Sequence, residues 1–324
     1  VGNLSVGGTG KSPVVAALAS WLVARGERPA ILTRGYRRRT DVPGVVVVSD
    51  GHSILADLAR AGDEPLMLAR AVPGAVVCVC ADRHLAGVLA ERALGATVHL
   101  LDDGFQHLSL ARDLDVLVTS VGEITGGHVL PRGRLREPAD AAADADVLVV
   151  MGADAGAATT EARALGVERA CGAARALEQP RVVGSRASGV GSRGPGAGSP
   201  VVLACGIANP QRFVDDVKAA GWQVARAVTF PDHHPFSARD VARIAAAVSE
   251  TGAAAVFATD KDAVRFEAAG PLPFPLFRVP MTVIFDPPEA LFERVAAILT
   301  VRGDSRSDSR LPTPNSRRDP GASA

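Results

Sequence analysis

Aromatic residues make up only 4% of this 324-residue chain, with two tryptophans and a single tyrosine. The core must be built mainly from Ala, Val and Leu, and a 47% apolar content is ample for packed layers without staples. Net charge is also lacking. Cations and anions number 35 each, so no overall field draws the chain to nucleic acid, and no nucleic-acid partner is expected. The four cysteines, Cys78, Cys80, Cys171 and Cys205, show neither the pairing density of a secreted scaffold nor the spacing of a zinc site. Cys78 and Cys80 alternate within VVCVC, which puts both on one face of a strand as small hydrophobes. No apolar run reaches the roughly 18 residues that span a bilayer, and neither a signal peptide nor a solenoid repeat is present. The sequence opens at Val1, almost inside its first strand and without a Met, so the expectation is that an N-terminal segment, with any membrane-contacting element it carries, precedes it.

What the sequence does contain is an alternation of short β-branched runs with Ala/Leu-rich stretches, the mark of βαβ units around a mostly parallel sheet. Strands are expected at 45–48, 75–80, 97–101, 116–119, 147–150, 201–205 and 254–258. Their continuous apolar character suits strands covered on both faces. Helices announce themselves by punctuation: residues 13–25 end at Gly26, Asn209 and Pro210 form a cap and first-turn proline, and Ser237 with Asp240 resembles a capping box. The expected partition is a phosphate-loop α/β/α domain over 1–183, a Gly/Ser-rich linker or insertion over 184–200, a second, smaller α/β/α domain over 201–302 and a disordered tail over 303–324.

The chemistry begins at VGGTGKSP, Val6 to Pro13. The phosphate-loop pattern is Gly, four residues, Gly, Lys, then Ser or Thr; Gly10, Lys11 and Ser12 fit it, whereas Ser5 stands where the first Gly belongs. Gly7, Gly8, Thr9 and Gly10 still let backbone amides converge on phosphate oxygens at a helix start, with Lys11 bridging the terminal phosphates and Ser12 ligating Mg²⁺. The alternative is an ordinary Gly-rich turn. After an apolar run, Asp102 and Asp103 take the Walker B position, where a carboxylate holds Mg²⁺ directly or through water. Asp63 and Glu64 in AGDEP are either helix-cap acids or site acids by spacing alone. Asp232, His233 and His234 in FPDHHPF are open to metal, general-base or turn roles. Cations gather without aromatic partners at Thr33 to Arg39, which includes Arg37, and at His128 to Pro138, an arrangement suited to phosphate or acidic head groups rather than bases. TDKDAVRF, Thr259 to Phe266, follows a strand at a place where loops shape ligand pockets, or simply caps a helix. A GTP switch is disfavoured by the absence of an NKxD motif, and a metallochaperone by the cysteine placement. A kinase of a soluble sugar stays open on these grounds.

In order, GNLSVGGTGKSP, LTRGYRRR, AGDEP, ADRHLAG, LLDDGFQH, LPRGRLREP, FPDHHPF and TDKDAV closely resemble the tetraacyldisaccharide 4'-kinase family, over about Val1 to Leu299. The resemblance implies transfer of the γ-phosphate of ATP, with Mg²⁺, to the 4'-hydroxyl of a tetraacylated glucosamine disaccharide 1-phosphate in lipid A biosynthesis. It implies peripheral attachment to the cytoplasmic face of the inner membrane and an active site between two α/β/α lobes. By the same resemblance Asp63 is the catalytic carboxylate with His233 as its expected partner, and Lys11 belongs to the catalytic set. Glu64 is a helper at the metal site, with Ser12, Asp102 and Asp103. Arg37, Arg83, Gln106, Arg136 and Glu137 contact substrate or line its pocket. Whether His233 or His234 works with Asp63 stays open at the level of sequence.

Overall fold

The central strands feed two cores at once. In residues 29–33, Ile31 packs with Val77 and Val79 on one side, while Ala30 and Leu32 pack with Val76 and Cys78 on the other. In residues 200–205 the same alternation sends Val202 and Ala204 to one core and Val201, Leu203 and Cys205 to the opposite one. Period-two burial on both faces demands helices above and below each sheet.

The structure, a computed structural model, describes residues 1–35, 38, 40, 43–184, 195, 196 and 198–307, with side chains only to 301 in the last helix. In chain order its elements are α1 (Lys11–Val23), β1 (Pro29–Thr33), β2 (Val46–Asp50), α2 (Leu58–Ala61), α3 (Asp63–Ala71), β3 (Val76–Val79), α4 (Arg83–Leu94), β4 (Val98–Leu101), β5 (Val116–Ser120), β6 (Val147–Met151), α5 (Ala155–Leu165), β7 (Ala170–Leu177) and β8 (Arg181–Val182). There follow β9 (Pro200–Cys205), α6 (Pro210–Ala219), β10 (Gln223–Thr229), α7 (Ala238–Thr251), β11 (Ala255–Thr259), α8 (Asp260–Glu267), β12 (Leu276–Val279), β13 (Met281–Asp286) and α9 (Glu289–Ser307). Each of the seven expected strands is present within a residue or two, as are the Asn209 cap and the full Ser237/Asp240 capping box.

In the first lobe the strand orders β2-β3-β1-β4 and β13-β7-β6-β5 form two four-stranded sheets. Residues 1–5 join them: Val1 meets the Leu101 and Gly104 backbone on the β4 side, and Gly2 exchanges backbone hydrogen bonds with Val116 and Val118 on the β5 side. This segment pairs through the bridges Gly2–Leu117 and Ser5–Leu135 rather than as a regular strand. The chain after residue 5 therefore leaves the middle of the sheet, where the phosphate loop sits. The second lobe has order β10-β9-β11-β12-β8. Both lobes are largely parallel, with β2, β8 and β13 the antiparallel edges, so the molecule is a mixed α/β protein with mostly parallel sheets.

The expected span of 201–302 for the second domain differs from the pairing. β13 lies along β7 from Met281↔Leu177 to Asp286↔Gly172, and Phe285, Leu291 and Val295 pack into the core around α1. The chain thus returns to the first lobe after β12. Of the linker and the tail, 185–194, 197 and 308–324 lie outside the described residues. All four cysteines are free and buried, and burial pushes the Cys78 thiol up to about 11, which leaves it an inert hydrophobe.

Candidate active site

The loop between residue 5 and α1 owes its shape to glycine. Gly7 and Gly10 have φ of 116° and 94°, in a region side chains disfavour, and Gly10 is the N-cap from which α1 starts without a side-chain cap. The unpaired amides of the first helical turn face the loop. A Cβ at Gly8 would meet nothing within 4 Å. Thr9 is buried and its Oγ1 has no partner. Ser5, the departure from the motif, is turned away: its Oγ donates to Glu123 Oε1 at 2.5 Å. Lys11 Nζ donates to Asn3 Oδ1 at 2.7 Å and lies 3.4 Å from Asp103 Oδ1. Arg134 closes the other side, its Nη2 donating to the Val6 carbonyl at 2.6 Å.

The two Walker B aspartates have different surroundings. Asp103, at φ 55°, is half-exposed and serves as counter-ion to Lys11 and to Arg136, whose Nη1 is 3.3 Å away. Asp102 is buried with Oδ1 unpartnered, and burial first, then Glu64 and Asp103, push its carboxyl up to about 6. Arg136 also donates to Gln106 Oε1 at 3.0 Å, and Gln106 in turn donates to Glu137, so three of the expected pocket residues form one chain beside Asp103. Arg83 is buried at the start of α4, with Nη1 donating to the Ala81 carbonyl at 3.0 Å. Arg37 lies outside the described residues.

The second lobe supplies the remaining groups. His233 Nδ1 is 2.9 Å from Asp63 Oδ2, whereas His234 Nε2 is 3.0 Å from Asp240 Oδ2 in the α7 cap and its ring stacks on Phe230. With φ 61° at His233, the adjacent rings reach different partners. His233 thus meets Asp63. Asp63 itself begins α3 and is buried. Burial pushes its carboxyl up, but the His233 hydrogen bond and the charges of Lys261, His233 and Arg265 outweigh that and hold it below the usual carboxylate range.

Some groups escaped sequence reasoning. Lys261 donates to Glu64 Oε1 at 2.9 Å, and Arg265 stands 3.6 Å from Asp63 Oδ2 while pairing with the fully buried Asp262 at 2.8 Å. TDKDAVRF was the available signal, but spacing along it does not show which lobe it faces. Asn3, bonded to Lys11, lies inside the first motif and carries no chemistry-bearing signal of its own.

Among the described residues no cluster of three or more His, Cys, Asp or Glu is preassembled around a metal position. Mg²⁺ in phosphoryl-transfer sites takes one or two carboxylates and completes its shell with phosphate and water oxygens. The unpartnered buried Oδ1 of Asp102 and Ser12 in the first turn of α1 fit that smaller demand. Glu64 and Asp103 are engaged by cations.

The family model described as Tetraacyldisaccharide-1-P 4'-kinase matches residues 1–300. The tetraacyldisaccharide 4'-kinase of Geobacter metallireducens is 41% identical over 272 residues, covering 82% of this chain and 77% of its own length. That of Anaeromyxobacter dehalogenans is 42% identical over 277 residues, covering 83% and 72%. A crystal structure described as the "apo" form of LpxK from Aquifex aeolicus in complex with ATP superposes with a TM-score of 0.70 at 28% identity, over 92% of this chain and 86% of that one. On the match across 1–300 and these relatives, the chain belongs to the tetraacyldisaccharide-1-P 4'-kinase family.

Proposed function

We propose that the protein transfers the γ-phosphate of ATP to the 4'-hydroxyl of a tetraacyl glucosamine disaccharide 1-phosphate, at the cytoplasmic face of the inner membrane. The observation that carries this reading is the pair Asp63 and His233, contributed by different lobes and 2.9 Å apart, on the same molecule as a phosphate loop. Family membership names the acceptor. Attachment to the membrane is read as peripheral; no helix among the described residues is long and apolar enough to cross one.

The chain's own residues divide the work. Backbone amides from Gly7 to Gly10 and the start of α1 bind phosphate oxygens, and Lys11 adds a positive charge. Asn3 and Asp103 hold that ammonium in place beforehand. Arg136, leashed by Asp103 and Gln106, is placed for a phosphate or the acceptor's own 1-phosphate. Asp63, kept ionised by its cationic neighbours, accepts the proton of the sugar hydroxyl. Positioned acceptance of this kind contributes typically about 10² to 10⁴ in rate. His233 orients the carboxylate. Mg²⁺, which Ser12 and Asp102 would hold, would neutralise charge developing on the phosphates.

The test is a radiolabelled ATP transfer assay that offers the tetraacyl disaccharide 1-phosphate beside its deacylated analogue. Transfer to the acylated acceptor, with Lys11→Ala and Asp63→Ala each losing about 10² or more of turnover, is expected. Equal use of both acceptors would instead favour a soluble-sugar kinase, and full activity of Asp63→Ala would remove the base assignment.

A further inference from the structure

Lys261 enters the reading so far only as one of the charges that keep Asp63 ionised, yet its ammonium also sits where the lobes meet. It donates to Glu64 Oε1 at 2.9 Å and lies 3.2 Å from His233 Nε2, with only 17% of its side chain exposed. An ammonium offers three donors and no lone pair, so a ring nitrogen that bonds to it must be the acceptor. A neutral imidazole that accepts at one nitrogen carries its proton on the other. The other nitrogen is Nδ1, 2.9 Å from Asp63 Oδ2. Asp232 pulls the opposite way, because an acceptor facing Nε2 favours a proton there, but its Oδ2 stands farther off at 3.6 Å.

We infer that Lys261 is a positioning residue that holds His233 as the Nδ1–H tautomer, so that the ring donates to Asp63 and the carboxylate alone is left to take the hydroxyl proton. The charged groups around this pair are Asp63 and Glu64 on α3, Lys261 and Arg265 on α8, and Asp232 in the histidine's own loop. Glu64 follows Asp63 in α3, so the ion pair fixes the ammonium relative to the same turn that carries the base. The opposite tautomer would leave a bare Nδ1 lone pair against an ionised carboxylate, with repulsion in place of a charge-assisted hydrogen bond. The inference deepens the kinase reading and depends on it for the reaction, whereas the proton's position on the ring is independent of any turnover.

The experiment is a long-range ¹H–¹⁵N spectrum of the full chain with labelled histidine at neutral pH, for the unaltered protein, Lys261→Met, Lys261→Arg and Glu64→Gln, alongside steady-state kinetics. Expected is a proton on Nδ1 and none on Nε2 at His233 in the unaltered protein, in Lys261→Arg and in Glu64→Gln; in Lys261→Met, Nδ1 keeps its proton for Asp63 and Nε2, now facing Asp232 alone, gains one. In that variant kcat should fall about 10- to 100-fold with the KM for ATP moving less than about threefold. Protonated Nε2 in the unaltered protein overturns the inference. So does a Lys261→Met protein whose Nε2 stays unprotonated, which would make Lys261 a simple ion-pair partner of Glu64. Should Lys261→Met fail to fold, the unaltered protein still tests the inference, because a proton on Nε2 there overturns it. Failure of the kinase reading is separate, since it would appear as no phosphate transfer by the unaltered protein whatever its spectrum.

Discussion

At the scale of single residues the most informative side chain is Asp102, which is 5% exposed and has an oxygen without a partner. Its carboxyl, pushed up to about 6 chiefly by burial, titrates above its unfolded value of roughly 3.9. The folded state therefore binds this proton more tightly than the unfolded chain does. Stability contributed by the protonated form is lost as pH rises from about 4 to 6, and beyond that the penalty is on the order of 3 kcal/mol. A cation in the phosphate site would offset it, which is a physical reason to keep so costly a group. Urea melts of Asp102→Asn should show little change near pH 4 and a gain of up to that order near pH 8. Adding Mg²⁺ with a nonhydrolysable ATP analogue should then stabilise the unaltered protein more than the variant. The adjacent acids were legible as a pair after an apolar run, but nothing in DDG distinguishes the buried Asp102 from the half-exposed Asp103 that balances Lys11 and Arg136. Likewise His233 and His234 are equivalent in FPDHHPF, and only the left-handed backbone at His233 assigns one to Asp63 and the other to the α7 cap.

At the scale of elements, α3 and α8 bind the lobes together. Glu64 pairs with Lys261 and Arg70 with Glu267, both at a sequence offset of 197, so the two helices run side by side in one register. The contacts differ in worth. Arg70 and Glu267 form a two-pronged pair at the surface, which typically contributes less than about 1 kcal/mol. Arg265 is 4% exposed and is the ion partner of Asp262, which is fully buried, so its loss strands a charge at a cost of about 3 to 5 kcal/mol. Denaturant melts of Arg70→Ala and Arg265→Met should separate by that margin, and equal losses would show that the buried pair is solvated by other means. The seven strands read from sequence are mostly apolar runs, and β1, β8, β12 and β13 went unread along with β7 and β10. β7 escaped because ACGAARAL has the composition of a helix; its strand state is imposed by pairing with β6 on one side and β13 on the other. β10, an edge strand with mostly half-buried or exposed residues, lacks the apolar run for the same reason that it needs none.

At the scale of the whole molecule, the second lobe is an insertion into the first. Leu177 at the end of β7 pairs with Met281 at the start of β13, and the Glu178 amide donates to the Pro280 carbonyl at 2.8 Å. The two ends that lead to the second lobe are thus already at hairpin distance. Deleting 179–279 and closing the gap with a short Asn-Gly turn leaves β7 and β13 as neighbours in a hairpin, which asks little of the chain. The first lobe keeps most of its core under this deletion, losing Val264 of α8, because Phe285, Leu291 and Val295 still pack around α1 and Trp21 still stacks on Phe292 at 5.0 Å. Ending the chain at residue 183 does the reverse: it strips β13 from the edge of the sheet and uncovers the apolar face of α1 that α9 protects, both routes to aggregation. The excised protein should melt cooperatively and bind an ATP analogue within about tenfold of the full chain's affinity, since the phosphate loop, Asp102 and Asp103 are all retained. It should transfer no phosphate, because His233, Lys261 and Arg265 have gone and Asp63 has lost the groups that hold it ionised and aimed. Calorimetry and the transfer assay on the two truncations check this directly, and a soluble, cooperatively folding 1–183 fragment would show that the first lobe does not need the returning strand and helix.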